Sequence, residues 1–342
     1  MGRNKLTIIV TCIVLVMLLG QFAGIRAYVM QGSGEDRFSY AFRLFSEKRE
    51  GDEQQATNNQ NVAKEDPLMN RILEEAEKRR IEPVNAVADR IWKAIPGYDG
   101  REVDVERTYE KAKQRATGTN IEYVYRSIKP KVSLDDLGAQ PIYRGNPNKP
   151  MVALMINVAW GNEFIEPMLN TLDEAKVKAT FFLDGSWLKK NAELAQEIQK
   201  RGHQLENHAY SHPNMSQLES QLARLEISKT KDLLKEKLGV ENRWFAPPSG
   251  DFNAQTVKLA AEQGLKTVLW TLDTVDWRKP PAASIVSKIE SKVESGSLIL
   301  MHPTASSRDA LKEMIHVIQS KGLMLGTVEQ TLSSERVEVP ES

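Results

Sequence analysis

Short apolar runs alternate with amphipathic helical patterns through the second half of this 342-residue chain. The helical patterns lie near residues 191–201, 217–238, 253–263, 282–294 and 306–321. The apolar runs have the length of buried strands and occupy residues 151–156, 180–183, 244–246, 267–272 and 298–301. A repeated order of strand, helix and strand predicts a parallel sheet, and five or more such units predict a (β/α) barrel.

Polar residues stand where the predicted strands end, and barrels of this type gather their chemistry at the carboxyl ends of the strands. Besides Asn157 and Asp184, these residues are His208, Asp273, Asp276 and His302. We therefore expect the functional site at this edge of the sheet.

His208 and His212 are two of only five histidines and lie four residues apart. If the backbone turns helically after His208, both imidazoles share one face and could hold one divalent metal. The single cysteine, Cys12, lies in an N-terminal apolar run, so a metal here must be held by histidines and carboxylates. The alternative is that both histidines are surface loop residues. His203 and His316 show no comparable pattern, and we assign them no function.

The N-terminus carries Arg3 and Lys5, followed by an apolar run over residues 6–25. Twenty helical residues can cross a hydrocarbon core of roughly 30 Å, and the preceding positive charges favour an extracytoplasmic C-terminus. We predict a signal-anchor helix within residues 1–30, with a cleaved signal peptide and secretion as the alternative. Residues 31–66 are polar and predict a flexible tether.

Residues 67–140 predict a small, mostly helical (α+β) domain of unknown role. Apolar residues recur at helical spacing over 68–76 and 84–92, a further helix is expected over 103–116, and an alternating pattern predicts a strand over 121–128. Residues 141–150 predict a linker, 151–332 the barrel domain and 333–342 a C-terminal tail. The chain has 46 basic and 46 acidic residues, so its charge indicates no nucleic-acid partner, and we expect a monomer.

Five fragments of the barrel region, in this order along the chain, resemble the polysaccharide deacetylase family, which is the NodB-homology domain of carbohydrate esterase family 4. They are Ala-Thr-Phe-Phe at 179–182, His-Ala-Tyr-Ser-His at 208–212, Phe-Ala-Pro-Pro-Ser-Gly at 245–250, Asp-Thr-Val-Asp-Trp at 273–277 and Leu-Met-His at 300–302. The whole chain looks like a sporulation-associated branch of that family.

The resemblance implies a distorted (β/α) barrel and a metal-dependent N-deacetylase acting on cell-wall glycan, either N-acetylated peptidoglycan or chitin-like sugars. In such enzymes a divalent metal, most often zinc, polarises the amide carbonyl and activates water, an aspartate acts as base, and a histidine protonates the leaving amine. By resemblance, His208 and His212 are the metal histidines.

By the same resemblance, His302 is the general acid, oriented by Asp276 or Asp273. Trp277, Leu300 and Pro248 are implied at the substrate pocket.

Three positions depart from the family pattern. The motif Thr-Phe-Asp-Asp-Gly-Pro is here Met-Ile-Asn-Val-Ala-Trp at 155–160, which puts Asn157 at the base position and Val158 at the metal-ligand position. The arginine that normally pairs with the base is Ala246. Neither Asn157 nor Val158 can do the work of a carboxylate. We therefore expect a metal that is bound weakly or not at all, and deacetylase activity that is weak or lost.

Two hypotheses follow. In the first, a weak deacetylase uses His302 as acid and a water positioned by Asn157, with Glu206, Asp184 or Glu163 as a candidate replacement ligand. In the second, the protein keeps the saccharide groove but is a catalytically silent binding or scaffolding pseudoenzyme.

Overall fold

The computed structural model describes residues 66–114 and 120–337. The chain divides into two compact units, residues 1–71 and 72–342. The predicted anchor at 1–30 and all but the last residue of the predicted tether lie outside the described residues. Within the described ranges, the helices are too short or too polar to cross a bilayer.

The N-terminal module, defined here as residues 72–133, combines helices with two small antiparallel sheets. The helices of this region are α1 (Pro67–Arg79) and α2 (Val105–Gln114). Strand β1 (Val87–Asp89) pairs with β2 (Lys93–Ile95), and β3 (Gly100–Val103) pairs with β4 (Tyr125–Ile128). The module therefore has more strand than the mostly helical domain expected from the sequence.

The prediction of a helix over residues 84–92 is wrong, because residues 87–89 form strand β1 and residues 90–92 form the turn of the first hairpin. The Oδ1 atom of Asp89 accepts hydrogen bonds from the backbone N–H groups of Ile91 and Trp92, both at 2.7 Å, which closes a turn in place of a helical turn. Ile91 is 67% exposed at this turn, so the apparent apolar face is not buried.

The barrel domain contains one parallel sheet that curves as a half-barrel. Strand β5 (Met151–Val158) is buried along its whole length and pairs with three other strands. The order across the sheet is β10 (Leu272–Asp273), β11 (Leu298–Met301), β5, β6 (Thr180–Leu183), β7 (Gln204–Asn207), β8 (Trp244–Phe245) and β9 (Lys266–Thr267), and β12 (Met324–Gly326) also pairs with β5. In the described part of the chain, no ladder joins the two end strands β9 and β10.

The single strand predicted over 267–272 is two strands, because Ile142 enters between them. The backbone N–H of Leu269 donates to the carbonyl of Ile142 at 2.8 Å, and Ile142 bridges Val268. Ile142 and Lys149 are almost completely buried, so the segment expected as a linker is part of the folded unit.

Helices cover the outer face of the sheet. The predicted helices correspond to α5 (Ala192–Lys200), α6 (Ser220–Leu238), α7 (Ala254–Glu262), α8 (Ala282–Lys292) and α9 (Ala305–Ser320). Three further helices were not predicted from the sequence, namely α3 (Asn162–Glu174), α4 (Gly185–Lys190) and α10 (Val328–Leu332).

Alternate residues of β5 face opposite layers. Ala153 and Met155 belong to an inner cluster with Phe182, Trp244 and Ala246. Val152, Leu154, Ile156 and Val158 belong to the outer cluster with the apolar side chains of α3 and α9. The period of two along a strand therefore places Asn157 on the inner face and Val158 against the helices.

Candidate functional site

His208 and His212 lie together at the carboxyl end of β7, with ring centroids 5.1 Å apart and edge-to-face rings. His208 is fully buried, and its Nδ1 atom is 2.7 Å from the carbonyl oxygen of Ala246. Because a carbonyl can only accept, Nδ1 carries the proton and Nε2 keeps its lone pair. Burial, together with the nearby charge of His212, lowers the pKa of His208 to about 3. The imidazole is therefore neutral, which is the form that binds metals.

The loop between these histidines is not the helical turn expected from their spacing. Ala209 and His212 have φ values of 59° and 57°, so the chain makes a left-handed turn at each end of the loop. Glu226 on α6 accepts hydrogen bonds from the backbone N–H groups of Tyr210 (3.0 Å) and Ser211 (2.8 Å). The buried Asn207 accepts from Ala209 and donates to the carbonyl of Ile227. The bonds to Glu226 and Ile227 attach the loop that carries both rings to α6.

The residues at the end of β5 supply no carboxylate to this pair. Asn157 is buried, and its Oδ1 atom has no hydrogen-bond partner in the described structure. Val158 is completely buried in the outer cluster, and Ala246 in the inner one. Among the described residues, no group of three or more histidine, cysteine, aspartate and glutamate side chains is arranged to hold a metal. Two imidazoles alone do not fit a catalytic zinc centre, which takes three protein ligands.

The carboxylates considered as replacement ligands do not complete the set. Glu206 accepts from the backbone N–H groups of Arg243 (2.9 Å) and Trp244 (2.7 Å), and burial raises its pKa to about 7. The Glu206 carboxylate is therefore used in hydrogen bonds that join β7 to β8. Glu163 is exposed in the first turn of α3.

Asp184 caps α4 by accepting from the backbone N–H of Trp187 at 2.8 Å and from the Ser186 hydroxyl at 2.6 Å. Burial raises its pKa, and its second carboxylate oxygen has no partner in the described structure. The cap holds the first oxygen at the helix N-terminus.

His302 follows β11 and is held by Asp276. Its Nδ1 atom is 2.8 Å from Oδ1 of Asp276, while Oδ2 accepts from the backbone N–H of His302 at 2.6 Å and from the hydroxyl of Ser307. Although burial raises the pKa of Asp276, the hydrogen bonds and charge of His302 and the bond from Ser307 lower it overall. Asp273 instead accepts from the backbone N–H of Val275 at 2.7 Å. Of the two aspartates left open by the sequence, Asp276 lies against His302.

The implied pocket residues differ in exposure. Trp277 is 51% exposed, whereas Leu300 and Pro248 are buried. Trp160 was not assigned a role from the sequence, yet its indole stacks on the imidazole of His302 with centroids 5.9 Å apart. A tryptophan two residues after a buried strand was the available signal. Sequence reasoning also missed Glu226, Asn207 and Ser307, whose partners are distant in sequence.

The two histidines without an assigned function lie away from this edge. His203 is buried before β7, where Nδ1 accepts from the backbone N–H of Ala179 at 3.2 Å. His316 is exposed on α9.

Comparison with known proteins agrees with the resemblance. A family model described as polysaccharide deacetylase matches residues 144–268. The protein YlxY of Bacillus subtilis is 44% identical over 276 residues, which cover 81% of this chain and 86% of YlxY. A peptidoglycan-N-acetylglucosamine deacetylase of Bacillus cereus is 34% identical over 191 residues, covering 54% of this chain and 70% of that enzyme.

Among solved structures, BA3943 of Bacillus anthracis is similar to this chain, with 40% identity and a TM-score of 0.73. The match covers 80% of this chain and 98% of BA3943, which is described as a pseudoenzyme of carbohydrate esterase family 4. A mutant of BA3943 described as having restored enzymatic activity matches with a TM-score of 0.72.

Proposed function

Because the chain belongs to the polysaccharide deacetylase family, we propose that it is directed at N-acetylated cell-wall glycan and that its deacetylase activity is weak or lost. The observation that carries this proposal is the pair His208 and His212 without a third metal ligand in the described structure. The base and arginine positions are occupied by Asn157 and Ala246, so the acid–base partner of the family reaction is missing as well.

The intact His302–Asp276 pair supports a residual enzyme, because a carboxylate that holds one imidazole nitrogen leaves the other free to exchange a proton. The missing carboxylates support the second candidate, a glycan-binding pseudoenzyme without turnover. The description of BA3943 as a pseudoenzyme favours this second candidate, whereas the name of the Bacillus cereus relative suggests peptidoglycan as the glycan.

The two candidates are separated by measuring binding and turnover together. The purified protein is incubated with N-acetylated chitooligosaccharides and with peptidoglycan in the presence of zinc, and both acetate release and bound protein are measured. We expect binding with acetate release close to background, and zinc that is lost on dialysis against a mild chelator. The His302→Ala variant should abolish any residual release and keep binding. Stoichiometric, chelator-resistant zinc with rapid acetate release would contradict the proposal.

Restoring turnover should require several substitutions together, because the groups of an active site act as a unit. Asn157→Asp returns a base without a metal ligand. Val158→Asp returns a carboxylate without a base, and this carboxylate reaches the histidines only if the strand end turns it out of the outer cluster. The combined Asn157→Asp, Val158→Asp and Ala246→Arg variant should release acetate faster than the parent and than either single variant. A folded, zinc-loaded triple variant with no gain would mean that the groove no longer accepts an acetamido sugar.

We also propose that the barrel domain lies outside the cytoplasmic membrane, attached by the apolar run at 6–25, and that its partner is membrane-proximal peptidoglycan, including that of a developing spore. The basic start and the polar composition of residues 31–66 support this placement. A coil of about 36 residues has a root-mean-square reach of roughly 30–35 Å. The full chain should sediment with membranes, and protease added to protoplasts should digest its C-terminal domain. Recovery of uncleaved chain in the soluble cytoplasm would rule this out.

A further inference from the structure

Trp160 is an exposed aromatic side chain beside His302, at a position where the family motif quoted above has proline. Its side chain is 47% exposed, and the planes of its indole and the His302 imidazole are 10° apart. We infer that Trp160 is a saccharide-stacking residue of this site, against which a pyranose ring of the glycan packs next to His302. This inference rests on the proposed function and adds the residue that contacts the sugar, which is Trp160, and the way in which it does so, which is stacking.

The distribution of tryptophans supports a ligand-binding role. Of the six tryptophans in the chain, Trp187 and Trp244 are buried, and Trp92 and Trp270 are half-buried. The two exposed ones are Trp160, which stacks on His302, and Trp277, which follows Asp276 in sequence and lies under the Arg278 guanidinium. An indole left half in water keeps a large apolar face unused, and the C–H face of a pyranose ring is a chemical match for such a surface.

The backbone holds Trp160 in this place. Gly161 has a φ of 82°, and a Cβ atom at this position would lie 2.1 Å from the carbonyl oxygen of Pro303. The chain after β5 therefore touches the chain after β11 at a point where only glycine fits. This contact keeps Trp160 against His302 without the help of a ligand, so a sugar meets a preformed surface and less conformational freedom is lost on binding.

The stacking of Trp160 on His302 also matters for proton exchange by the His302 imidazole. Asp276 holds Nδ1 of His302, and no residue within 66–114 or 120–337 is hydrogen-bonded to Nε2. Trp160 covers one face of the same ring. A sugar packed on Trp160 is thus placed beside the group that the family uses as acid, which suits both a weak enzyme and a binding protein.

The test is isothermal titration calorimetry of the full chain with chitotetraose, repeated as sedimentation with purified peptidoglycan. Trp160→Ala should weaken binding about tenfold, which is the size expected for loss of one aromatic stacking contact. Trp160→Phe keeps a ring and should stay within about threefold of the parent. Gly161→Ala should weaken binding like Trp160→Ala, because the added methyl group displaces the backbone from Pro303. Tyr125→Ala, an exposed aromatic of the N-terminal module, is the matched control and should bind like the parent.

The outcomes are distinct. Parent-like binding by folded Trp160→Ala overturns the inference and leaves the proposed function standing. Tighter binding by Trp160→Ala also overturns it, since Trp160 would then be a cap that obstructs the site. A parent that binds neither chitotetraose nor peptidoglycan overturns the proposed function and the inference with it. Circular dichroism and thermal melting of each variant identify any loss of binding that comes from unfolding.

Discussion

Two neighbouring residues at the end of β5 have opposite environments. Asn157 faces the inside of the half-barrel on the side of the histidines, whereas Val158 packs among the side chains between sheet and helices. A carboxylate at position 158 would therefore enter an apolar layer unless the strand end rearranges. Valine at position 158 therefore contributes to the packing of the strand against the helices, and it also leaves the metal without a ligand from this position.

Val158→Asp alone should lower the free energy of unfolding by about 2–5 kcal/mol, because it buries an uncompensated carboxyl group in place of a packed valine. Urea denaturation at neutral pH measures the change. Ala305→Asp, at an exposed first position of α9, is the control and should have little effect, since an acidic residue is favourable at a helix N-terminus. Equal stability of the two variants would show that the side chain at 158 turns towards the histidines.

His203 should make stability depend on pH. Burial lowers its pKa to about 4, so between about pH 6.5 and pH 4 the unfolded chain takes up a proton that the folded chain refuses. The stability due to neutral His203 is fully present above about pH 6.5 and is lost as the pH falls towards 4, by at most roughly 3 kcal/mol.

The measurement is chemical denaturation of the parent and His203→Phe from pH 7 to pH 4. The variant should lose less stability over this range, although buried His208 retains a dependence of the same sign. His316→Gln, which replaces an exposed histidine, should follow the parent. Identical slopes for His203→Phe and the parent would show that His203 is protonated in the folded protein.

At the scale of elements, hydrogen bonds join strand β7, the loop over residues 208–212 and helix α6. Glu226 accepts the N–H groups of Tyr210 and Ser211 and also the Ser211 hydroxyl at 2.9 Å. One helix side chain therefore satisfies the backbone of a loop whose two ends have positive φ values. The positions of His208 and His212 therefore depend on how α6 is placed along β7.

Glu226→Ala should free this loop. Hydrogen exchange of the Tyr210 and Ser211 amides should become at least about tenfold faster, because each loses a charge-assisted hydrogen bond of roughly 1.5–3 kcal/mol. Glu236→Ala removes an exposed glutamate from the same helix and should leave both amides unchanged. Unchanged exchange in Glu226→Ala would mean that Asn207 alone holds the loop.

At the scale of the whole molecule, the N-terminal module and the barrel domain share hydrogen bonds within the second unit. The backbone N–H of Asp99 donates to the carbonyl of Ser334 at 2.7 Å, and the Arg336 guanidinium donates to the carbonyl of Asp99 at 3.0 Å. The side chain of Asn146 donates to the carbonyl of Pro96 at 2.8 Å. Buried Lys149 binds the carbonyls of Gln330 and Ser333, and burial lowers its pKa to about 8.

These bonds predict that the module and the barrel unfold together. Calorimetry of the protein should give one transition with equal calorimetric and van't Hoff enthalpies. Arg336→Ala should lower the midpoint of that single transition, whereas Arg308→Ala, at a pair with an exposed neighbour, should not. Two separated transitions in the parent would mean that the module is an independent domain.

The sequence by itself determined the parallel α/β architecture, the five outer helices and the residues gathered at the carboxyl edge. These features depend on local periodicity: a period of two or of 3.6 sets which side chains share a face wherever the chain later packs. Asn157 and Val158, which stand where the resemblance implies carboxylates, are also local information, because their positions follow from a short motif at a strand end.

Only the tertiary structure decided which groups meet. It folds residues 87–95 into a hairpin, places Asp276 instead of Asp273 against His302, and bonds Glu206 to the backbone of β8. It also placed Trp160 on His302 through the contact of Gly161 with Pro303. Each of these results depends on partners distant in sequence, whose geometry is set by strand order and close backbone approach, and a local pattern carries no information about either.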